Sequence, residues 1–148
     1  MNRLYVRLLI RQKSEAWDHP FIAVYEPYGN GAKSQIRSVY TSKTPKQKGV
    51  AKLSVEYFKK DKMDHIIHSV NEKTEAKYMG IRFMGTYCVV TMEKGRLVSL
   101  YIGNGYSFSM DGLEVSLDEG KPFDVWLEWR DGEWICHSRE AVKIKMLK

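Results

Sequence analysis

The chain alternates apolar and polar positions over short stretches, a pattern typical of β strands. Leu4 to Ile10 and Val50 to Tyr57 both show the period of two that turns one strand face towards a core. No stretch carries the apolar stripe of an amphipathic helix, although the polar segment from Asn71 to Lys77 would allow one short helical turn. The pattern therefore predicts about eleven strands.

Glycine-containing dipeptides divide the second half of the chain into predicted hairpins, because tight hairpin turns need positive φ. The dipeptides are Met84-Gly85, Lys94-Gly95, Asp111-Gly112 and Asp131-Gly132. Counting outwards from the second and the fourth predicts the cross-strand pairs Glu93–Arg96, Met92–Leu97, Val90–Ser99, Arg130–Glu133, Trp129–Trp134, Leu127–Cys136 and Trp126–His137. Gly103-Asn104-Gly105 marks one more turn. The predicted fold is an all-β, antiparallel, two-layer β-sandwich of jelly-roll type, in a single domain over residues 1–148.

The stretch from His19 to Tyr28 is bounded by Pro20 and Pro27, each of which removes a backbone donor. Between the prolines, aromatic and β-branched residues alternate with little polarity on either face. This pattern predicts a short strand that is covered on both sides.

Residues 8–40 resemble a segment near the C-terminal end of heparinase-II/III-type polysaccharide lyases. The resemblance is carried by Ile10-Arg11-Gln12-Lys13-Ser14-Glu15-Ala16-Trp17-Asp18-His19-Pro20-Phe21 and by Gln35-Ile36-Arg37-Ser38-Val39. Those lyases combine a helical toroid with β-sandwich domains and cleave acidic glycans by β-elimination. No part of this chain could form the toroid. The resemblance therefore implies kinship with a β-sandwich part of such an enzyme, and the remaining domains of a lyase become possible partners.

Length and composition limit the number of domains and the kinds of partner that the chain can have. The chain has 148 residues, enough for one ordinary domain, and no apolar run long enough to cross a bilayer. Three arginines interrupt the apolar centre of residues 1–13, so no signal peptide is predicted, whereas the related lyases are typically exported. The missing signal peptide is consistent both with a stand-alone cytoplasmic protein and with a fragment of a longer exported protein. The net charge of +6 favours polyanionic partners, unless the lysines only keep a β protein soluble.

Residues with catalytic or ligand-binding chemistry are few. His65 and His68 have a spacing that would suit a metal on a helix, but on a strand they face opposite sides, so no metal or cofactor is predicted. His19, Tyr25, Tyr28 and Arg37 are residue types that a β-eliminating lyase uses, yet bracing of strand ends explains them more simply, and no residue is assigned as catalytic. Cys88 and Cys136 are predicted to be two buried thiols.

Aromatic side chains give the binding hypothesis. Trp126 and His137 pair on the face of the last hairpin that is not predicted to be core, and Trp17 and His19 flank Asp18 at a loop exit. Flat rings with polar groups at their edges can stack on sugars. Packing of the same residues against another domain is the competing interpretation.

Three functions follow from these observations. The favoured one is a non-catalytic β-sandwich module that binds a glycan, foremost an acidic polysaccharide, or braces the other domains of a lyase. The second is a small polysaccharide lyase, and the third is a structural or partner-binding domain without ligand. Nucleic-acid binding is not expected, because no RNP motif or five-strand barrel pattern occurs.

Overall fold

A computed structural model describes residues 22–26, 33–42, 47–59, 61–117 and 120–146. Within these ranges the regular structure consists of strands alone: β1 (Ile36–Thr41), β2 (Val50–Tyr57), β3 (Lys62–Ser69), β4 (Glu75–Tyr78), β5 (Ile81–Glu93), β6 (Arg96–Met110), β7 (Leu113–Ser116), β8 (Phe123–Arg130), β9 (Glu133–Ser138) and β10 (Lys143–Met146). Every pairing is antiparallel, which confirms the predicted fold class. None of the described residues forms a helix that is long and apolar enough to cross a membrane.

The ten strands form one hydrogen-bonded sheet, and β5 and β6 are long enough to run through both of its halves. The first layer contains β1, β2, β3, β8 and β9 together with residues 87–93 of β5 and 96–103 of β6. The second layer contains β4, β7 and β10 together with residues 81–84 of β5 and 107–110 of β6. The two ends of the strand order do not pair, so the sheet is not closed.

Glycine bulges occur where the two layers part. The β5–β6 register shifts between Met84 and Gly85, and the β6–β8 register shifts between Ile102 and Gly105. Bulges bend a strand and increase its twist. The hairpin predicted at Met84-Gly85 and the turn predicted at residues 103–105 are therefore wrong, because these glycines bend continuous strands. The chain reverses before β5 at Met79-Gly80 instead, where both residues have positive φ.

Inward-facing apolar residues of both layers form one core. Those buried almost completely include Ile67, Cys88, Ile102 and Val125 from the first layer, and Phe83, Phe108, Leu113 and Val115 from the second. Each large side chain buried in this way contributes about 1.5–3 kcal/mol to folding. Because side chains alternate along a strand, the residues next to these core positions point to the outer face of each layer.

The hairpin around Asp131-Gly132 has the predicted register throughout, including Trp129 opposite Trp134 and Trp126 opposite His137. The hairpin around Lys94-Gly95 keeps the predicted register for its first two pairs. Beyond them a bulge between Thr91 and Met92 shifts the strands, and Val90 pairs with Leu100 rather than with Ser99.

The predicted strand between the prolines is not found in its described part, residues 22–26. Val24 and Tyr25 are exposed there, Tyr25 by 77%. The Glu26 carboxylate accepts hydrogen bonds from the Ser34 hydroxyl at 2.7 Å and from the Gln35 amide at 2.6 Å, next to the start of β1. The apolar residues of this segment instead line a shallow cavity of about 600 Å³ on the outer face of the first layer.

Three further predictions have clear outcomes. Residues 71–74 form a turn and β4 follows, so the suggested helical turn is wrong. Cys88 is buried as predicted, but Cys136 is exposed because β9 ends the first layer and pairs only with β8. Both thiols are free. The strand predicted at residues 4–10 lies outside the described residues.

Candidate functional site

A row of aromatic and imidazole side chains crosses the outer face of the first layer. Its members, one on each of five adjacent strand segments, are His68 (β3), Tyr87 (β5), Tyr101 (β6), Trp126 (β8) and His137 (β9). We call this set the aromatic row. Its members face outwards because their neighbours in sequence, such as Ile67, Cys88 and Val125, are core residues.

Strand register places most members of the aromatic row directly opposite one another, and the step from Tyr87 to Tyr101 is diagonal because Tyr87 pairs with Gly103. His68 pairs with Tyr87, Tyr101 with Trp126, and Trp126 with His137. The Trp126 and His137 rings stack with centroids 4.7 Å apart and planes 22° from parallel. Tyr87 makes edge contacts with His68 at 6.5 Å and with Tyr101 at 6.2 Å. Five segments at the usual strand spacing make the row about 19 Å long.

The rings of the aromatic row are partly exposed to solvent. Tyr101 is 46% exposed and Trp126 is 43% exposed. Burial raises the pKa of Tyr87, so its phenol stays neutral at physiological pH. An exposed aromatic strip of this length is uncommon on a protein that has no partner for it, and such strips mark binding surfaces.

A second line of side chains runs beside the aromatic row, four residues away along β3 and β5 and two residues away along β6 and β8. It consists of Asp64, Thr91, Ser99 and Glu128, which strand register places opposite one another in that order. We call it the polar row. Its hydrogen bonds hold the side chains in place: Thr91 donates to Asp64 at 2.8 Å, and Arg130 donates to both oxygens of Glu128, at 2.9 and 3.1 Å.

Trp126 links the two rows. Its indole N–H donates to the Ser99 hydroxyl at 3.2 Å, and that hydroxyl donates to the Leu127 carbonyl at 3.1 Å. The His137 ring, which stacks on Trp126, also lies 3.3 Å from Glu128 through Nε2. The polar edge of Trp126 is thus satisfied within the protein, and its ring face is held in one orientation. Fixed ring faces beside hydrogen-bonding groups can bind a chain of sugar rings, each of which has an apolar face and a polar edge.

The structure brings together two of the four predicted binding residues, Trp126 and His137. Trp17 and His19 lie outside the described residues and stay predictions. Tyr101, Tyr87 and His68 were not predicted as members of a site. The alternation of apolar and polar residues along each strand predicts that these three side chains face outwards. It does not predict that they are neighbours, because their proximity depends on the strand order β3-β5-β6-β8.

Among the described residues, those with possible metal or catalytic roles are dispersed, whereas His19 and Tyr28 lie outside the described ranges. His65 is buried and His68 is exposed, as expected for strand residues on opposite faces. Arg37 forms an exposed ion pair with Glu56 at 3.2 Å. No cluster of three or more His, Cys, Asp or Glu residues that could hold a metal occurs among the described residues.

The fold and the aromatic row together define an all-β domain with an exposed aromatic face. A family model described as "Endo-acting ulvan lyase C-terminal domain" matches residues 36–128, which is more than half of the chain. The chain therefore belongs to the family of endo-acting ulvan lyase C-terminal domains. The matched range begins with β1 and ends within β8, so it contains every member of the aromatic row except His137.

A curated relative supports this membership. The chain is 37% identical over 106 residues to the endo-acting ulvan lyase of Formosa agariphila, and the match covers 66% of this chain but 12% of that protein. No solved structure matches. These matches do not show the predicted relation to heparinase-II/III-type lyases, and of the segment that carried it only residues 36–40 fall in the family range.

Proposed function

We propose that this domain binds an acidic polysaccharide along the aromatic row and takes no part in cleaving it. Within the family, that role would hold an ulvan lyase on its polymer, since ulvan is an acidic polysaccharide. The observation that carries the proposal is the aromatic row itself, which crosses five strand segments of one layer. A row that runs across the strands suits an extended polymer better than a small ligand.

Charge supports the choice of an acidic ligand. The net charge of the chain is +6, and a positive field raises the local concentration of a polyanion. The row itself contains two imidazoles, one at each end, whose ring N–H groups can donate hydrogen bonds to an acidic sugar. Its tyrosines and tryptophan would supply stacking, and the polar row would supply hydrogen bonds to sugar hydroxyls.

Affinity electrophoresis in gels that contain ulvan tests the proposal. The wild-type protein should be retarded, and the variants Trp126→Ala and Tyr101→Ala should bind about tenfold more weakly or worse, a loss of about 1.4 kcal/mol each. Trp129→Ala is the matched control, because Trp129 is an exposed tryptophan of the same strand on the opposite face, 47% exposed. It should migrate like the wild type. Equal retardation of all variants, or none of the wild type, would contradict the proposal.

The competing functions are separated by two more measurements. Incubation with ulvan, heparin and alginate while following the absorbance of an unsaturated product tests for lyase activity, and a rising signal would overturn the non-catalytic role. The narrower hypothesis of heparinase-II/III kinship predicts retardation in heparin gels as well. Domain bracing predicts instead that the aromatic row is protected by the rest of a full-length lyase, and that Trp126→Ala weakens that association without changing polysaccharide binding.

A further inference from the structure

A second concave region lies on the inner side of the first layer, at the margin that the second layer leaves uncovered. It is a cleft of about 870 Å³ between the β1–β2–β3 end of the first layer and the β4–β5 turn of the second. Its lining is mainly apolar and includes Met63, Tyr78, Met79 and Ile81. Clefts of this size with a few convergent polar groups are the usual form of small-ligand sites.

A chain of three polar side chains lies at the wall of this cleft. Ser54 Oγ is 2.7 Å from His65 Nδ1 and 2.7 Å from Tyr78 Oη. Tyr78 reaches across from the second layer, and its ring also contacts the His65 ring edge-on at 5.9 Å. Ser54 and His65 are almost completely buried, whereas Tyr78 is half-buried and lines the cleft together with Ser54.

The direction of these hydrogen bonds can reverse. With the proton on His65 Nε2, Ser54 donates to Nδ1 and Tyr78 donates to Ser54, which leaves the Tyr78 oxygen as an acceptor. With the proton on Nδ1 each bond reverses, and the Tyr78 hydroxyl is free to donate. A group that can donate or accept at the same position suits hydroxyl groups, which do both.

The rim of the cleft carries charges of both signs, and its lining carboxylate, Glu56, is already ion-paired with Arg37 at 3.2 Å. Lys77 and Arg82 line the cleft, and each forms an ion pair with the same carboxylate, Glu75, at 3.2 Å. Two cations that share one carboxylate leave one positive charge uncompensated within the group. Both cationic side chains are more than half exposed, so they can turn to a bound anion at little cost.

We propose that this cleft is a second sugar site, which binds one acidic sugar unit, such as a uronate at the end of a glycan chain. Tyr78 exchanges hydrogen bonds with the sugar hydroxyls, the apolar wall packs on the ring, and Lys77 and Arg82 bind the carboxylate. The site is separate from the aromatic row, since it lies between the layers and shares no residue with it. The proposal rests on the proposed function only for the choice of an acidic sugar.

Titration of ¹⁵N-labelled protein with glucuronic acid tests the proposal, because amide shifts locate the site directly. Shifts should appear around Met63, Tyr78 and Met79, and glucose should produce weaker ones at the same place. Tyr78→Phe removes one hydroxyl and keeps the ring, so it should weaken glucuronic acid binding about tenfold. The double change of Lys77→Gln and Arg82→Gln alters only exposed residues, and it should abolish the preference for glucuronic acid over glucose. Trp126→Ala should leave the cleft shifts unchanged.

Each alternative result has a defined meaning. Shifts confined to the aromatic row would overturn the second site and leave the proposed function standing. The absence of cleft shifts with both sugars would overturn the site altogether. Equal binding of glucose and glucuronic acid would overturn the acidic class of ligand. Failure of the proposed function would be seen independently, as unchanged retardation of Trp126→Ala in ulvan gels.

Discussion

At the scale of single residues, the two cysteines differ in the properties that decide thiol reactivity. Cys88 lies in the core, where burial strongly raises the pKa of its thiol, whereas Cys136 is exposed on β9 and partial burial raises its pKa less. Since the thiolate is the reactive form, a thiol reagent should modify Cys136 alone in the native protein and both residues after denaturation. Mass spectrometry of the protein labelled before and after denaturation would count the modified cysteines. Cys136→Ser should abolish native labelling, and comparable labelling of Cys88 in the native state would contradict its burial.

His65 should make stability depend on pH. Burial lowers the pKa of this histidine below its usual value of about 6.5, and the charge of Asp64 opposes the effect only in part. Between the lowered pKa and about pH 6.5 the unfolded chain binds a proton at this position that the folded protein does not. The stability conferred by neutral His65 is therefore complete above about pH 6.5 and falls as the pH drops below it.

Replacement of the histidine isolates this contribution. The free energies of unfolding of the wild type and of His65→Gln should draw closer as the pH is lowered through about 6.5, and the difference should level off below the folded-state pKa. Urea denaturation at a series of pH values measures it. A difference that does not change across this range would show that His65 titrates normally in the folded protein.

At the scale of elements, the bulge at Gly85 is the most constrained position in the long strands. A Cβ there would lie 2.7 Å from Gly105 Cα and 2.8 Å from the Asn104 carbonyl oxygen, both of them backbone atoms that cannot rotate away. Gly85→Ala should therefore destabilise the protein by about 1–3 kcal/mol or more. Gly103→Ala is the matched control, since its nearest contact would be an ordinary 3.7 Å. Thermal unfolding should separate the two variants, and equal stability would mean that the layers can shift apart at the bulge.

Hairpins were predictable from the sequence, and bulges were not. Asp131-Gly132 reverses the chain between strands that pair at once, so local counting gave the register of β8 and β9 down to Trp126 opposite His137. Glycine is equally suited to a turn and to a bulge, because both need backbone geometry that other residues avoid. The sequence alone therefore does not distinguish the bulge at Gly85 from the turn at Gly132. The pairing of β5 with β4, β3 and β6 shows that Gly85 lies within a continuous strand.

At the scale of the whole molecule, the surfaces with proposed functions depend on contacts between distant strands. The aromatic row joins residues from His68 to His137, and the cleft joins Ser54 to Tyr78 across the two layers. Alternation along each strand gives the face on which a residue lies, but strand order decides which residues become neighbours. The sequence could therefore predict the Trp126–His137 pair, which one hairpin contains, and could not predict the row to which that pair belongs.

The net charge of +6 predicts how salt affects polysaccharide binding. Added salt screens the attraction between the protein and an acidic polymer, since the Debye length falls from about 10 Å at 0.1 M to about 3 Å at 1 M. Stacking on Trp126 and Tyr101 is not ionic and should persist. Binding to ulvan should thus weaken with salt but remain measurable for the wild type. Trp126→Ala has lost the stacking contribution of the tryptophan, so it should lose binding at high salt.

Affinity electrophoresis at several salt concentrations measures the binding of both proteins. Wild-type affinity that does not change with salt would exclude the charge contribution, and parallel decline of the two proteins would exclude the stacking contribution of Trp126.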